Sequence, residues 1–221
     1  MNEEAGRISA IFRAPIESLI NEDDRTSAKS WVYDWEIPAS SQRALVEWGL
    51  PTSFNLSLDI PRHAKTIDTP QDAADFGINA GKLYILGSWS PSGALSNEKI
   101  AGVEVGGGSV LSVDFDPLLS RSYPDWFWKE YPHHEIRNTR FLASSVEKLC
   151  ELAWRWYSIW NVLDSVKLPS RPTENEVNVY FEKREMIHLA VRKEILAIDP
   201  SAIGKIEGRY PWADLIREIV E

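Results

Sequence analysis

The order of patterned segments predicts an α+β fold: one domain in which an antiparallel or mixed sheet packs against long C-terminal helices. Three observations carry this. Short β-rich runs fill the first two thirds of the chain, long stretches of helical periodicity fill the last third, and one segment, Phe141 to Val166, joins the two patterns. There, Leu142, Val146, Leu149, Ala153, Trp156, Trp160 and Leu163 recur at alternating steps of four and three, which places them on one helix face, and Leu152, Ile159 and Val166 widen it. Ser144 with Glu147 three residues on has the form of a capping box, so the helix is expected to open there. The preceding Arg140-Phe141-Leu142-Ala143 is short, apolar and bounded by polar residues, as in a strand feeding the helix. Trp154, Trp156, Tyr157 and Trp160 put bulk on several sides, and core packing against a sheet is the expected use of these rings.

From the N-terminus, Ile8, Ile11, Phe12, Ile16, Leu19 and Ile20 can line a short helix that Pro15 ends or kinks. A polar connection, Asn21 to Ser30, precedes Trp31-Val32-Tyr33-Asp34-Trp35, whose β-favouring residues predict a strand stopped by Pro38. Ser40 and Ser41 are candidate caps for a helix carrying Leu45, Val46 and Trp48, closed by Gly49 with Pro51 beyond. Phe54 to Ile60 alternates as a strand, and Thr66 to Asn79 is expected to be mostly loop. Lys82 to Gly87 is a nearly continuous apolar run suited to a central strand. Ile100 to Val105 and Ser109 to Phe115 flank Gly106-Gly107-Gly108 as a β-hairpin. Asp116 to Arg137, aromatic and irregular, is an excursion from the sheet. Thr173 and Glu176 form a second capping box. It opens a long helix marked by Val177, Tyr180, Phe181, Ile187, Val191, Ile195 and Ile198, and a short last helix carries Trp212, Leu215, Ile216 and Ile219.

At 221 residues the chain suits one domain, 1–221, with residues 1–44 as a looser N-terminal extension. Its 43% hydrophobic and 26% charged residues are ordinary globular usage. No apolar run reaches the roughly 20 residues that span a bilayer, and Met1-Asn2-Glu3-Glu4 lacks the start of a signal peptide, so a soluble cytoplasmic protein without a membrane partner is expected. Cys150 is the single cysteine, which excludes an internal disulfide and a cysteine-based zinc site and leaves a buried structural thiol as the expected role. A formal net charge of -9 argues against nucleic acid as a direct partner and favours a basic protein.

Catalytic signatures are weak. The glycine triplet has no Gly-Lys-Ser/Thr after it and opens no helix, so a phosphate loop is rejected. His133-His134-Glu135 is the sharpest candidate for a metal or acid–base site, yet adjacent histidines point apart, and no metal is assigned. Asp114 and Asp116 are spaced to share a face as paired carboxylates, although solvated loop acids are the plainer reading. His63 and His188 lie in no triad context. No catalytic residue and no cofactor is expected.

Several short motifs, taken in order, carry a resemblance. Leu45 with Trp48-Gly49-Leu50-Pro51, the strand ending Leu86-Gly87-Ser88, the hairpin at Gly106 to Gly108, and Phe141-Leu142-Ala143-Ser144-Ser145-Val146 with Leu149 resemble the SUKH superfamily, in particular its fourth branch. Asp199-Pro200-Ser201-Ala202 and Trp212 with Leu215 and Glu218 resemble that branch's closing helix. Ala143 stands where an asparagine is expected, and Tyr123 to Tyr131 is a local elaboration. The resemblance implies an immunity protein that binds and neutralises a cognate toxin, often a nuclease, by occlusion. A regulatory scaffold of the same fold is the alternative, and an enzyme using His133 and His134 a third reading. Acids standing in for substrate phosphates and aromatics acting as anchors place the expected toxin-binding face on Asp114, Asp116, Asp125, Trp126 and Trp128.

Overall fold

The structure is a computed structural model that describes residues 3–28, 30–52, 56–57, 66–79, 81–89, 98–115, 139–204 and 209–219. It is an α+β fold. Helix α1 (Glu3–Arg13) leads through short 3-10 turns and the strand β1 (Arg25–Thr26) to α2 (Ala39–Arg43). The strands β2 (Leu50–Pro51), β3 (Leu56–Ser57), β4 (Thr66–Asp68), β5 (Lys82–Trp89), β6 (Glu98–Glu104), β7 (Val110–Phe115) and β8 (Thr139–Ala143) follow. The chain closes with α3 (Val146–Ser165), α4 (Glu174–Ile198) and α5 (Pro211–Glu218). The main sheet is antiparallel in the order β3-β5-β6-β7-β8, with β4 also on β5, while β1 and β2 pair separately.

The strand-to-helix unit at Phe141 forms as expected, with one shift of register. Ser145, not Ser144, is the N-cap: its side chain accepts from the Lys148 amide. The Ser144 amide instead donates to the buried Asp199 carboxylate at 2.7 Å, so a tertiary partner takes the residue that the local pattern chose. The hairpin of β6 and β7 turns through Gly106 and Gly108, both at positive φ, and β5 sits inside the sheet as a central strand.

Two segments depart from expectation. Residues 30–34 are a 3-10 helix rather than a strand. The Trp35 amide donates to the Val32 carbonyl, and Val32 and Trp35, three apart, both turn inward, Trp35 stacking on Tyr84 at 4.7 Å. Burial at a spacing of three overrides β propensity. Within Thr66 to Asn79, expected to be mostly loop, β4 and a 3-10 helix (Gln71–Phe76) are ordered elements. Strand β4 extends the sheet beside β5, and the 3-10 helix roofs the sheet face opposite the long helices, where Ala73, Ile78, Leu83, Leu111, Val113 and Phe141 cluster. Arg209 ties this roof to β8: it reaches Asp72 at 3.1 Å, its guanidinium lies 4.8 Å over the Phe76 ring, and its carbonyl accepts from the Phe141 amide. Of the strand expected over Phe54 to Ile60, Leu56–Ser57 is confirmed as β3, and the rest lies outside the described residues.

On the helical face, Leu86, Ala101, Val103, Val110, Leu142 and Ala143 meet α3, whose Val146, Leu149, Leu152, Ala153, Trp156, Ile159 and Val162 are buried. Helix α3 is enclosed on nearly every side. Arg155 is buried because α1 packs over it, and its guanidinium accepts no solvent role: it donates to the Ile11 and Ala14 carbonyls at the end of α1 and to Glu151. Helix α2 begins after Pro38, earlier than expected from Ser40 and Ser41, and continues as a π-helical turn (Ala44–Trp48) that Gly49 closes at φ 60. A Cβ there would meet the Thr26 carbonyl oxygen at 2.3 Å, so glycine is required by space as well as by conformation. The Trp154 indole N–H donates to the Trp48 carbonyl at 3.1 Å and locks this turn to α3.

The second capping box forms as expected. The Thr173 backbone amide and hydroxyl both donate to the Glu176 carboxylate at 2.8 Å, holding that carboxyl below its ordinary range. A depressed carboxyl stabilises the fold above its unfolded value and loses that contribution as pH falls. Amide exchange in the first turn of α4 is therefore expected to quicken on acidification through and below the carboxylate range, and a pH-independent rate pattern there, after correction for intrinsic exchange, would contradict the cap's role.

Trp156 packs edge-on to Trp212 at 6.1 Å in the core. Replacing it with alanine is expected to cost about 3–5 kcal/mol in urea denaturation, the range for a large core aromatic. Asp199→Ala strands the Ser144 and Ser201 donors and is expected to cost about 1–3 kcal/mol. An unchanged midpoint in either variant would refute the corresponding contact.

Candidate partner-binding site

Of the residues expected to bind a partner, Asp114 lies on β7, opposite Lys99 of β6 in the register of the hairpin. Asp116, Asp125, Trp126 and Trp128 lie outside the described residues, as do His63, His133, His134 and Glu135. Their segment, residues 116–138, follows Asp114 and Phe115 at the end of β7 and precedes β8 in the chain. Among the described residues no group of three or more His, Cys, Asp or Glu side chains is placed to hold a metal ion. No helix among them is long and apolar enough to cross a membrane.

Cys150 is buried on α3. Burial pushes its thiol well up from the ordinary value, and the charge of Glu147 adds to the shift. The native protein is expected to leave a thiol reagent such as dithionitrobenzoate unreacted at neutral pH and to react with one equivalent on unfolding. Rapid labelling of the native state would contradict the buried, structural role.

The described residues enclose a groove beside a ring that the sequence pattern misplaced. Trp160 falls on the apolar stripe of α3, yet its side chain is 60% exposed. Beside it, α3, α4 and α5 leave a groove of about 270 Å³ floored by Trp156, Leu163, Ile187, Leu215 and Ile219. Arg184 of α4 forms one wall. Its guanidinium donates to the Ile219 carbonyl and to the Tyr180 hydroxyl and lies 5.2 Å over the Tyr180 ring. Tyr180 in turn meets Phe181 edge-on at 5.4 Å, and Phe181 is 48% exposed. At the far rim Asp164 pairs with Lys167 at 2.9 Å. The last turns of α3 are covered by α4 and α5 on one side only, which leaves the ring of Trp160 without a roof. Exposure of a large aromatic beside an apolar groove with an arginine in its wall has the composition of an interaction surface, since Trp, Tyr and Arg dominate binding hot spots.

The neighbouring part of α4 extends this surface. Val179, Phe181, Met186 and Leu189 are all exposed, Phe181 being among the residues whose spacing marked the helix. Only Ile187, Val191, Glu194 and Ile195 of α4 are buried. The sequence signal was present but ambiguous: apolar residues occur at too many angles around α4 to define one core stripe, and the surplus points outward.

The protein is thus an α+β domain with helices over one sheet face and an aromatic-rimmed groove among those helices. More particularly, the chain belongs to the SUKH-4 immunity protein family, whose model matches residues 25–218. No curated protein and no solved structure gives a significant match. The matched span takes in both sheets, α2 to α5 and all of the groove lining except Ile219, and it reaches further toward the N-terminus than the motifs from Leu45 onward.

Proposed function

We propose that this protein neutralises a cognate bacterial toxin by binding it and covering its working surface, without transforming a substrate of its own. The observation that carries the reading is membership of the SUKH-4 immunity protein family over residues 25–218. The charge balance supports a basic partner: 33 acidic residues stand against 24 basic ones, and opposite net charges raise the encounter rate. A nuclease is the toxin class such an inhibitor suits best, because a cleft built for phosphates attracts carboxylates. Action in the cytoplasm, where such a toxin would meet its target, follows from the same reading.

Asp114, Asp116, Asp125, Trp126 and Trp128 form the proposed occluding face. Acids and aromatics interleave there, carboxylates standing in for substrate phosphates and rings supplying buried contact area. The location of Asp114 at the end of a strand in the rigid hairpin supports the choice, since an element anchored in the sheet presents a face at low conformational cost.

Affinity for the toxin domain encoded beside this gene, compared between wild type, Trp126→Ala and Asp125→Ala, tests the face. Loss of roughly 2 kcal/mol or more of binding in the Trp126 variant is expected of a hot-spot aromatic. Unchanged affinity in both variants would reject the face, and no binding by the wild-type protein would reject the function.

A further inference from the structure

The exposed rings of Trp160 and Phe181 are joined by a path of side-chain contacts across α3 and α4. Trp160 and Arg184 line the same groove, Arg184 covers Tyr180, and Tyr180 touches Phe181. Beyond Phe181, a shallow cleft between the first turn of α1 and α4 is lined by Glu3, Glu4, Val179, Glu182, Lys183 and Met186. A cluster of exposed large apolar side chains marks a surface that a partner can cover.

The charges around this path select the partner. The half of α4 that carries Val179, Phe181 and Met186 also carries Glu174, Glu176, Glu182 and Glu185, while Arg192 and Lys193 lie beyond it. Its two cations are engaged inside the molecule: Lys183 bridges Glu4 at 3.1 Å, and Arg184 is held by the Ile219 carbonyl and Tyr180. Glu182 and Glu185 face solvent, as does Glu3 on the adjoining turn of α1. A second copy of this chain brings the same acids and a net charge of -9, so self-association is opposed by repulsion. A basic surface bearing bulky apolar side chains is the complementary occupant.

We propose that the groove beside Trp160 and the outer half of α4 form a second docking surface for the basic toxin, with Trp160 and Phe181 as its anchors and Glu182 and Glu185 as its steering charges. The proposal rests on the reading that the chain binds such a toxin, and it adds a contact on the helical layer, apart from the segment that follows Asp114. Trp160 and Phe181 are exposed and contribute little to the core, so their loss acts on binding rather than on folding.

The test measures binding kinetics of the full-length protein with the purified, catalytically inactivated toxin domain encoded beside this gene, at low and physiological salt. Trp160→Ala with Phe181→Ala is expected to weaken binding by at least about tenfold, chiefly through faster dissociation, with the thermal midpoint unchanged. Glu182→Lys with Glu185→Lys is expected to slow association by about tenfold at low salt and less at physiological salt. Wild-type binding that both double variants retain in full would overturn this surface while leaving the proposed function standing. Absence of wild-type binding would overturn both. A doubled mass in light scattering that Trp160→Ala abolishes would assign the surface to a second copy and overturn the choice of partner.

Discussion

The arrangement depends on one buried carboxylate. Asp199 is fully buried at the end of α4, where it accepts from the Ser144 amide at 2.7 Å and from the Ser201 amide at 3.0 Å. Ser144 is the junction between β8 and α3, so this contact fastens the far end of the longest helix to the segment that leaves the sheet. A buried backbone amide without a partner is costly, and a carboxylate at this point satisfies a donor that no helix bond can reach. Trp212 repeats the device for α5, donating its indole N–H to the Leu142 carbonyl two residues earlier in the same junction at 2.8 Å. With α4 and α5 both hung on the β8–α3 junction, the gap between them beside Trp160 is fixed as a groove.

The sheet is clamped from both faces, and the two clamps differ in kind. The helical side is an apolar core around α3, in which dispersion and burial dominate. The opposite side is small and is held at its margin by polar contacts. Asp72 accepts from the Thr139 amide at 3.0 Å and from Arg209, and Phe76 lies under the same guanidinium. These contacts also cover the outer edge of β8, where the Phe141 amide bonds the Arg209 carbonyl. An antiparallel sheet with an exposed edge invites pairing with another chain, and this edge is partly closed to it.

Local patterns were legible where the chain satisfies itself. The Thr173 and Glu176 box, the glycine turn between β6 and β7 and the stop at Gly49, whose amide donates to the Ala44 carbonyl, rest on partners within a few residues, and the strand entering α3 showed in its own apolar run. Where a partner comes from afar, the reading shifted. Ser144 lost the cap to Ser145 because Asp199, 55 residues away, takes its amide. Trp31 to Trp35 became a 3-10 turn because Trp35 stacks on Tyr84 of β5. Residues 66–79 gained a strand that pairs with β5 and a helix that roofs the second face of the sheet. The candidate face was legible only as composition: acids and rings interleave from Asp114 to Trp128, and such a list carries no geometry.

The sequence by itself determined the fold class, the long helices, the hairpin, the single buried thiol and the acidic charge that suits a basic partner, because periodicity, capping and net charge are properties of neighbouring residues or of the whole sum. Only the tertiary structure decided which tryptophans are core and which are surface. Trp156 and Trp160 sit one helical turn apart on the same stripe, and no local rule separates them. What separates them is where α5 meets α3: Trp156 packs edge-on against Trp212 of α5 in the core, while Trp160, one turn on, stands at the open rim of the groove.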